Sequence, residues 1–111
     1  MKGWLKAPFI LAAVFAAPLL LAGKGDAAAG KPVFSKQCAT CHGAAGEGKV
    51  AIAKMLKVTL RHLGSKEVQA KSDAELRKNI NEGIGKMKPP KGLSEKEVDD
   101  VVALVRTLAK K

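Results

Sequence analysis

Two cysteines and a histidine in the first half of the chain have the spacing of a haem-attachment motif. Cys38, Cys41 and His42 form the pattern C-x-x-C-H, which is typical of covalent attachment of a c-type haem. Two thiols must reach the two vinyl groups of one porphyrin, so they must lie about three residues apart on a tight turn. The histidine must follow at once, because its imidazole then lies under the iron as proximal ligand. The motif predicts one haem c with its iron, attached through Cys38 and Cys41 and ligated by His42.

Two cysteines at this spacing have other known uses. A redox dithiol of the thioredoxin type lies beside a βαβ pattern, and no strand-like run precedes Cys38. A structural zinc site needs four ligands, whereas the sequence has no third cysteine and one other histidine, His62. A disulfide across two intervening residues would constrain little of the unfolded chain. Covalent haem is therefore the favoured interpretation.

The second axial ligand of the iron is sought among the three methionines. Methionine is the usual partner of histidine in electron-transfer haem proteins, and it raises the reduction potential. Met55 lies in an apolar helical run, where a methionine more often fills a core. Met87 lies between a glycine-rich and a proline-rich stretch that cannot be a regular helix, and a loop stiffened by two prolines can present one side chain to a metal. The sequence favours Met87; the alternatives are Met55, His62 in a bis-histidine site, or an open position.

The first residues have the composition of a secretory signal peptide. Lys2 and Lys6 form a basic start, and an almost wholly apolar stretch follows from residue 7 to 22. At about 16 residues, that stretch is shorter than the roughly 20 that a membrane-spanning helix needs. We expect a signal peptide over residues 1–29, cleaved between 22 and 29, and export to the periplasm. An uncleaved leader that tethers the protein to the membrane is the alternative.

The remaining residues, 30–111, suffice for one small domain. Such a domain is marginally stable alone, and its few aromatic residues make a covalently held porphyrin a useful source of apolar contact. The chain carries 20 basic and 10 acidic residues, a formal net charge of +10. This charge favours acidic protein partners. Nucleic acid is disfavoured, because the chain is expected to be exported and has no stacking platform or helix-turn-helix pattern.

Helix-start residues and apolar spacing predict an all-α domain. Asp26 or Gly30 begins a first helix that includes Phe34. Two capping boxes, Ser-x-x-Glu, mark later helices that begin at Ser72 and Ser94. The last helix carries an apolar stripe formed by Val98, Val101, Val102, Val105 and Leu108. The other predicted elements are a loop at Gly43, Gly46 and Gly48, a short helix over Val50, Ile52, Ala53 and Leu56, and a turn from Ser65.

From Asp26 onward the chain resembles a small soluble bacterial cytochrome c of class I. The resemblance rests on the Gly30-x-x-x-Phe34 start, the Cys38–Gly43 segment, the Gly-Lys-Met-x-Pro stretch around Met87 and the terminal helix. It implies an all-α fold in which the N- and C-terminal helices cross beside a covalently attached haem. It also implies that Gly30 and Phe34 meet the terminal helix, and that His42 and Met87 bind the iron.

Two positions depart from this family pattern. Many relatives have an aromatic residue in the last helix where this chain has Leu104. Many also have a proline after the haem motif whose carbonyl orients the axial histidine, and no proline lies between Cys41 and Met87 here. The group that holds the free nitrogen of His42 is therefore open, although such bonds tune metal ligands.

These observations predict a monomeric electron carrier rather than an enzyme. Both axial positions are filled, so electrons would pass through an exposed haem edge during brief contacts with redox partners, and membrane contact would occur only through an uncleaved leader. Lysines near that edge would orient acidic partner surfaces; the candidates are Lys36, Lys49, Lys86, Lys88 and Lys91. The alternative is a haem protein with an open sixth position that acts as a peroxidase or small-ligand sensor.

Overall fold

The computed structural model of the protein describes residues 25–110, which form helices joined by loops. The helices are α1 (Ala27–Gln37), α2 (Ala39–His42), α3 (Val50–Leu56), α4 (Lys66–Gln69), α5 (Asp73–Glu82) and α6 (Glu95–Thr107). Every predicted helix is present. None of the helices in residues 25–110 has the length and apolarity to cross a membrane. The basic, apolar part of the predicted leader lies outside the described residues.

The first and last helices cross at Gly30, which is buried on α1. A Cβ atom at Gly30 would lie 2.1 Å from the carbonyl oxygen of Asp100 on α6, so only glycine lets the two helices approach this closely. Phe34, one turn further along, is 2% exposed and lies in the core with α6 residues. The expectation that Gly30 and Phe34 meet the terminal helix is confirmed.

A buried carboxylate joins the start of α1 to the same crossing. Asp100 is 3% exposed, and its Oδ1 accepts a hydrogen bond from the backbone N–H of Asp26 at 2.8 Å. The ammonium of Lys96 donates to the same carboxylate at 2.9 Å. These donors, the Asp26 N–H first, hold the pKa of Asp100 below its ordinary value. Asp26 also caps α1, because its side chain accepts from the N–H of Ala28.

The core lies between α1, α4, α5 and α6. The predicted stripe on α6 is buried at its four valines, and Leu104 packs against the core half-buried. Burial of each such side chain contributes about 1.5–3 kcal/mol to folding. The buried apolar side chains are Phe34, Val68, Leu76, Ile80, Val98, Val101, Val102 and Val105.

The capping residues begin their helices as predicted. The hydroxyl of Ser94 accepts from the N–H of Glu97, while the Glu97 carboxylate accepts from the N–H of Ser94, which completes a capping box. Ser72 makes only the first of these two bonds, to the N–H of Glu75. Ser65 caps α4 through the N–H of Val68.

Arg106 of α6 holds the connection between α4 and α5 in place. Its guanidinium donates to the carbonyl oxygens of Gln69 at 2.9 Å and Lys71 at 2.6 Å. It also donates to the carboxylate of Asp73 at 2.9 Å. These bonds attach the connection between α4 and α5 to α6, which is packed against α1.

Candidate haem-attachment site

The C-x-x-C-H motif forms one tight helical turn at the junction of α1 and α2. Cys38 ends α1, with its N–H bonded to the carbonyl of Phe34 at 2.8 Å, and it also begins α2. Its own carbonyl accepts from the N–H groups of Cys41 at 3.2 Å and His42 at 3.0 Å. Both thiols are free and half-buried. The structure thus gathers the three predicted residues on a single turn that follows directly from the core residue Phe34.

Burial keeps the Cys38 sulfur protonated near neutral pH. Desolvation raises the pKa of this thiol to about 11, and Cys38 packs against the apolar core. Redox dithiols work as thiolates and have lowered pKa values. Within residues 25–110, no cluster of three or more histidine, cysteine or acidic side chains is arranged to hold a metal ion. The dithiol and zinc interpretations therefore lose support from this geometry.

The His42 side chain has the protonation state and orientation that suit an iron ligand. Burial lowers the pKa of its imidazole, which favours the neutral form that binds metals. Nδ1 is buried and is the one such side-chain atom of the described residues without a hydrogen-bond partner. No hydrogen bond of the described residues uses Nε2, the other ring nitrogen, which we therefore assign to the iron. Two thiols and a neutral imidazole on one turn fit a covalently held haem.

The chain after the motif returns to α2 before α3 begins. The N–H of Gly48 donates to the carbonyl of His42 at 2.7 Å, and the N–H of Lys49 donates to the carbonyl of Cys41 at 2.9 Å. Further along, the N–H of Leu63 donates to the carbonyl of Gly46 at 2.8 Å. The predicted glycine loop is therefore a closed loop, and the start of α3 is attached to the motif turn.

Met87 occupies the last position of a tight turn. Its N–H donates to the carbonyl of Ile84 at 2.9 Å, and its carbonyl accepts from the N–H of Ile84 at 3.1 Å. Gly85, the first central residue, has φ +57° while Lys86 does not have positive φ, which is the pattern of a type II′ turn. A Cβ at Gly83 would lie 2.5 Å from the Met87 carbonyl oxygen. The Met87 backbone is thus held from two directions, in the non-helical segment that the sequence predicts.

The competing ligands are placed differently. Met55 is 68% exposed on α3, so the interpretation of this residue as core filling is wrong; no residue of α3 is buried or belongs to the core of the described chain. His62 uses its Nδ1 to accept a hydrogen bond from the N–H of Gly64 at 2.8 Å. That contact gives His62 a local structural role in the loop before α4.

Known proteins are similar to this chain in sequence and in fold. Residues 27–109 match the family Cytochrome c. The chain is 37% identical over 92 residues to cytochrome c-554(547) of Halothiobacillus neapolitanus, a match that covers 76% of this chain and 98% of that protein. Its fold is similar to the solved structure of the KustC0563 c-type cytochrome, with a TM-score of 0.63 and 31% identity, over 73% of this chain and 98% of the other.

Proposed function

The chain belongs to the cytochrome c family and binds covalent haem c with iron, and we propose that it is a single-haem electron carrier with histidine and methionine as axial ligands. Bound haem supplies a one-electron couple between Fe(III) and Fe(II). In this proposal the thiols of Cys38 and Cys41 would form the two thioether links, and Nε2 of His42 and the sulfur of Met87 would bind the iron.

The observation that carries the proposal is the single turn formed by Cys38, Cys41 and His42. Its backbone bonds to Cys38 hold two thiols and a neutral imidazole at fixed separations. A ligand set that is held before the haem arrives reorganises little when the oxidation state changes, which suits a carrier. Filled axial positions leave no site on the iron for a substrate, so the proposal assigns electron transfer and no enzymatic reaction.

Met87 is the preferred second ligand because its backbone is fixed. Both its N–H and its carbonyl are bonded to Ile84, and its side chain is half-buried. By contrast, Met55 is held by no such turn and is largely exposed. A methionine ligand raises the reduction potential of a haem, so the choice between the two residues is measurable.

Replacement of each methionine in turn, Met87→Ala and Met55→Ala, tests in the holoprotein which of the two binds the iron. Met87→Ala should lower the reduction potential on the order of 0.1 V, a fraction of the roughly 0.8 V over which axial ligands set haem potentials. It should also abolish the weak long-wavelength absorption band of ferric haem with a sulfur ligand. Voltammetry and an optical spectrum of the ferric protein measure both.

Met55→Ala is the matched control, because it removes a methionine side chain that is 68% exposed. It should leave the potential and the band as they are in the unmodified protein. If Met87→Ala changed neither quantity, or Met55→Ala changed both, the ligand assignment would be wrong.

We propose acidic redox proteins as partners and a monomeric carrier. The chain has a net charge of +10, and the candidate docking lysines at positions 36, 49, 86, 88 and 91 are all exposed. Positive charge around an electron-exit surface accelerates encounter with acidic partners and allows brief contacts. Redox encounters of this kind use small interfaces.

We propose that the protein acts in the periplasm after removal of its leader. The contacts of Gly25 and Asp26 support cleavage in the early part of the expected interval, at residues 22–24. Cleavage after Ala29 would remove the N–H of Asp26 from the buried carboxylate of Asp100 and would remove the cap of α1. The intact mass of the exported protein identifies its first residue. A mass equal to that of a haem-bearing chain starting at residue 30 would contradict this boundary.

A further inference from the structure

One hydrogen bond connects the methionine turn to a distant part of the described chain. The ammonium of Lys86 donates to the carbonyl oxygen of Leu56 at 2.6 Å. Among the hydrogen bonds of residues 25–110, it is the one that joins positions 84–93 to another segment; the bonds between Ile84 and Met87 stay within the turn. The internal geometry of the turn is therefore fixed by its own backbone, and Lys86 adds the hydrogen bond that joins the turn to the segment at Leu56.

The acceptor of this bond is the last residue of α3. Near that end, the N–H of Lys57 donates to Lys54 and the N–H of Val58 donates to Ala53, and no backbone N–H of the described residues donates to Leu56. Carbonyl oxygens at the C-terminal end of a helix lack intrahelical partners and carry partial negative charge. A lysine ammonium is a favourable partner for such a group.

The other end of α3 is attached to the haem motif. The N–H groups of Gly48 and Lys49, immediately before α3, donate to the carbonyls of His42 and Cys41 at 2.7 and 2.9 Å. With seven residues and a rise of about 1.5 Å per residue, α3 is about 10 Å long. Its N-terminal end is therefore hydrogen-bonded to the turn that carries His42. Its C-terminal end is hydrogen-bonded to the turn that carries Met87.

We propose that α3 sets the separation of the two axial ligands. Lys86 is then the positioning residue that attaches the methionine turn to the C-terminal end of α3. The inference rests on the proposed ligation by Met87. In this proposal, displacement of Met87 from the iron would move the turn away from α3 and break the bond between Lys86 and Leu56. The bond thus stabilises the methionine-bound state over a state in which another ligand has replaced the sulfur.

The test is a titration of the ferric holoprotein with imidazole, which competes for the iron. The absorption spectrum at one fixed pH measures how tightly imidazole binds. Lys86→Met keeps the length of the side chain and removes its donors. It should bind imidazole about three- to tenfold more tightly than the unmodified protein, as expected for loss of one partly solvated hydrogen bond. Lys86→Arg keeps a charged donor and should restore the affinity to within about twofold.

Lys88→Met is the matched control, because it removes an equal charge one residue beyond Met87 from a lysine that has no hydrogen bond to the described residues. It should change the affinity by less than about twofold, within the usual range for surface substitutions. Equal effects of Lys86→Met and Lys88→Met would overturn the inference, as would an Lys86→Arg protein that behaves like Lys86→Met.

Met87→Ala separates this inference from the ligand assignment. If Met87→Ala binds imidazole far more tightly than the unmodified protein while Lys86→Met matches Lys88→Met, the ligand assignment stands and only the role of Lys86 fails. If Met87→Ala binds imidazole no more tightly than the unmodified protein, the assignment of Met87 fails and the role of Lys86 fails with it.

Discussion

At the scale of single residues, burial keeps the Cys38 thiol and the His42 imidazole neutral. The pKa of the His42 imidazole is lowered and that of the Cys38 thiol is raised to about 11, in both cases by desolvation. A lowered pKa means that His42 stays neutral to lower pH than an exposed histidine, so its nitrogen lone pair is available across the neutral range. Nδ1 of His42 is buried and has no hydrogen-bond partner among the described residues, so no carbonyl of residues 25–110 orients this imidazole.

Some of these residues were predictable and others were not. The spacing of Cys38, Cys41 and His42 alone predicts their placement on one turn, because the motif is local. The exposure of Met55 contradicts its interpretation as core, since an apolar run does not reveal which helices pair. No sequence pattern predicts the hydrogen bond between Lys86 and Leu56, because the two residues are 30 positions apart in the chain.

At the scale of elements, the crossing of α1 and α6 determines where the motif turn lies. The turn follows Phe34 without a break, and Phe34 is packed in the core beside α6. Gly30 allows this approach, since a Cβ there would lie 2.1 Å from the Asp100 carbonyl oxygen. The position of the haem site therefore depends on a contact between backbones one turn earlier in α1.

Gly30→Ala should destabilise the holoprotein by about 1–3 kcal/mol, because α1 and α6 must separate to admit the methyl group. Alanine has the higher helix propensity, by about 1 kcal/mol, so a net loss of stability isolates the steric cost. Denaturant unfolding measures the free energy of unfolding. Lys31→Ala, at the exposed neighbouring position, should change it by less than about 0.5 kcal/mol; a Gly30→Ala protein as stable as the unmodified one would contradict the crossing.

The helix starts show both the strength and the limit of local patterns. Ser72 and Ser94 begin α5 and α6 as predicted, because a cap is a contact between near neighbours in sequence. For α1, two starts were open, Asp26 and Gly30. The structure begins α1 after Asp26. The deciding contact is the bond from Asp26 to Asp100, 74 positions away, which no local pattern contains.

At the scale of the whole molecule, we expect the net charge of +10 to steer encounters with acidic partners. The exchange rate with an acidic redox protein should fall about tenfold or more when ionic strength rises from about 0.01 to 0.1 M, because the Debye length shortens from about 30 to about 10 Å. Stopped-flow mixing of the holoprotein with such a partner measures the rate. Reduction by an uncharged small molecule is the control and should not change. Equal rates with the acidic protein at both ionic strengths would show that charge does not steer the encounter.

Axial positions that are both filled by the chain itself would distinguish an electron carrier from a haem enzyme or sensor. The most direct measurement is the absorption spectrum of the reduced holoprotein under carbon monoxide. The unmodified protein should show no spectral change, because Met87 occupies the sixth position, whereas Met87→Ala should bind the gas readily. Ready binding of carbon monoxide by the unmodified protein would contradict the account.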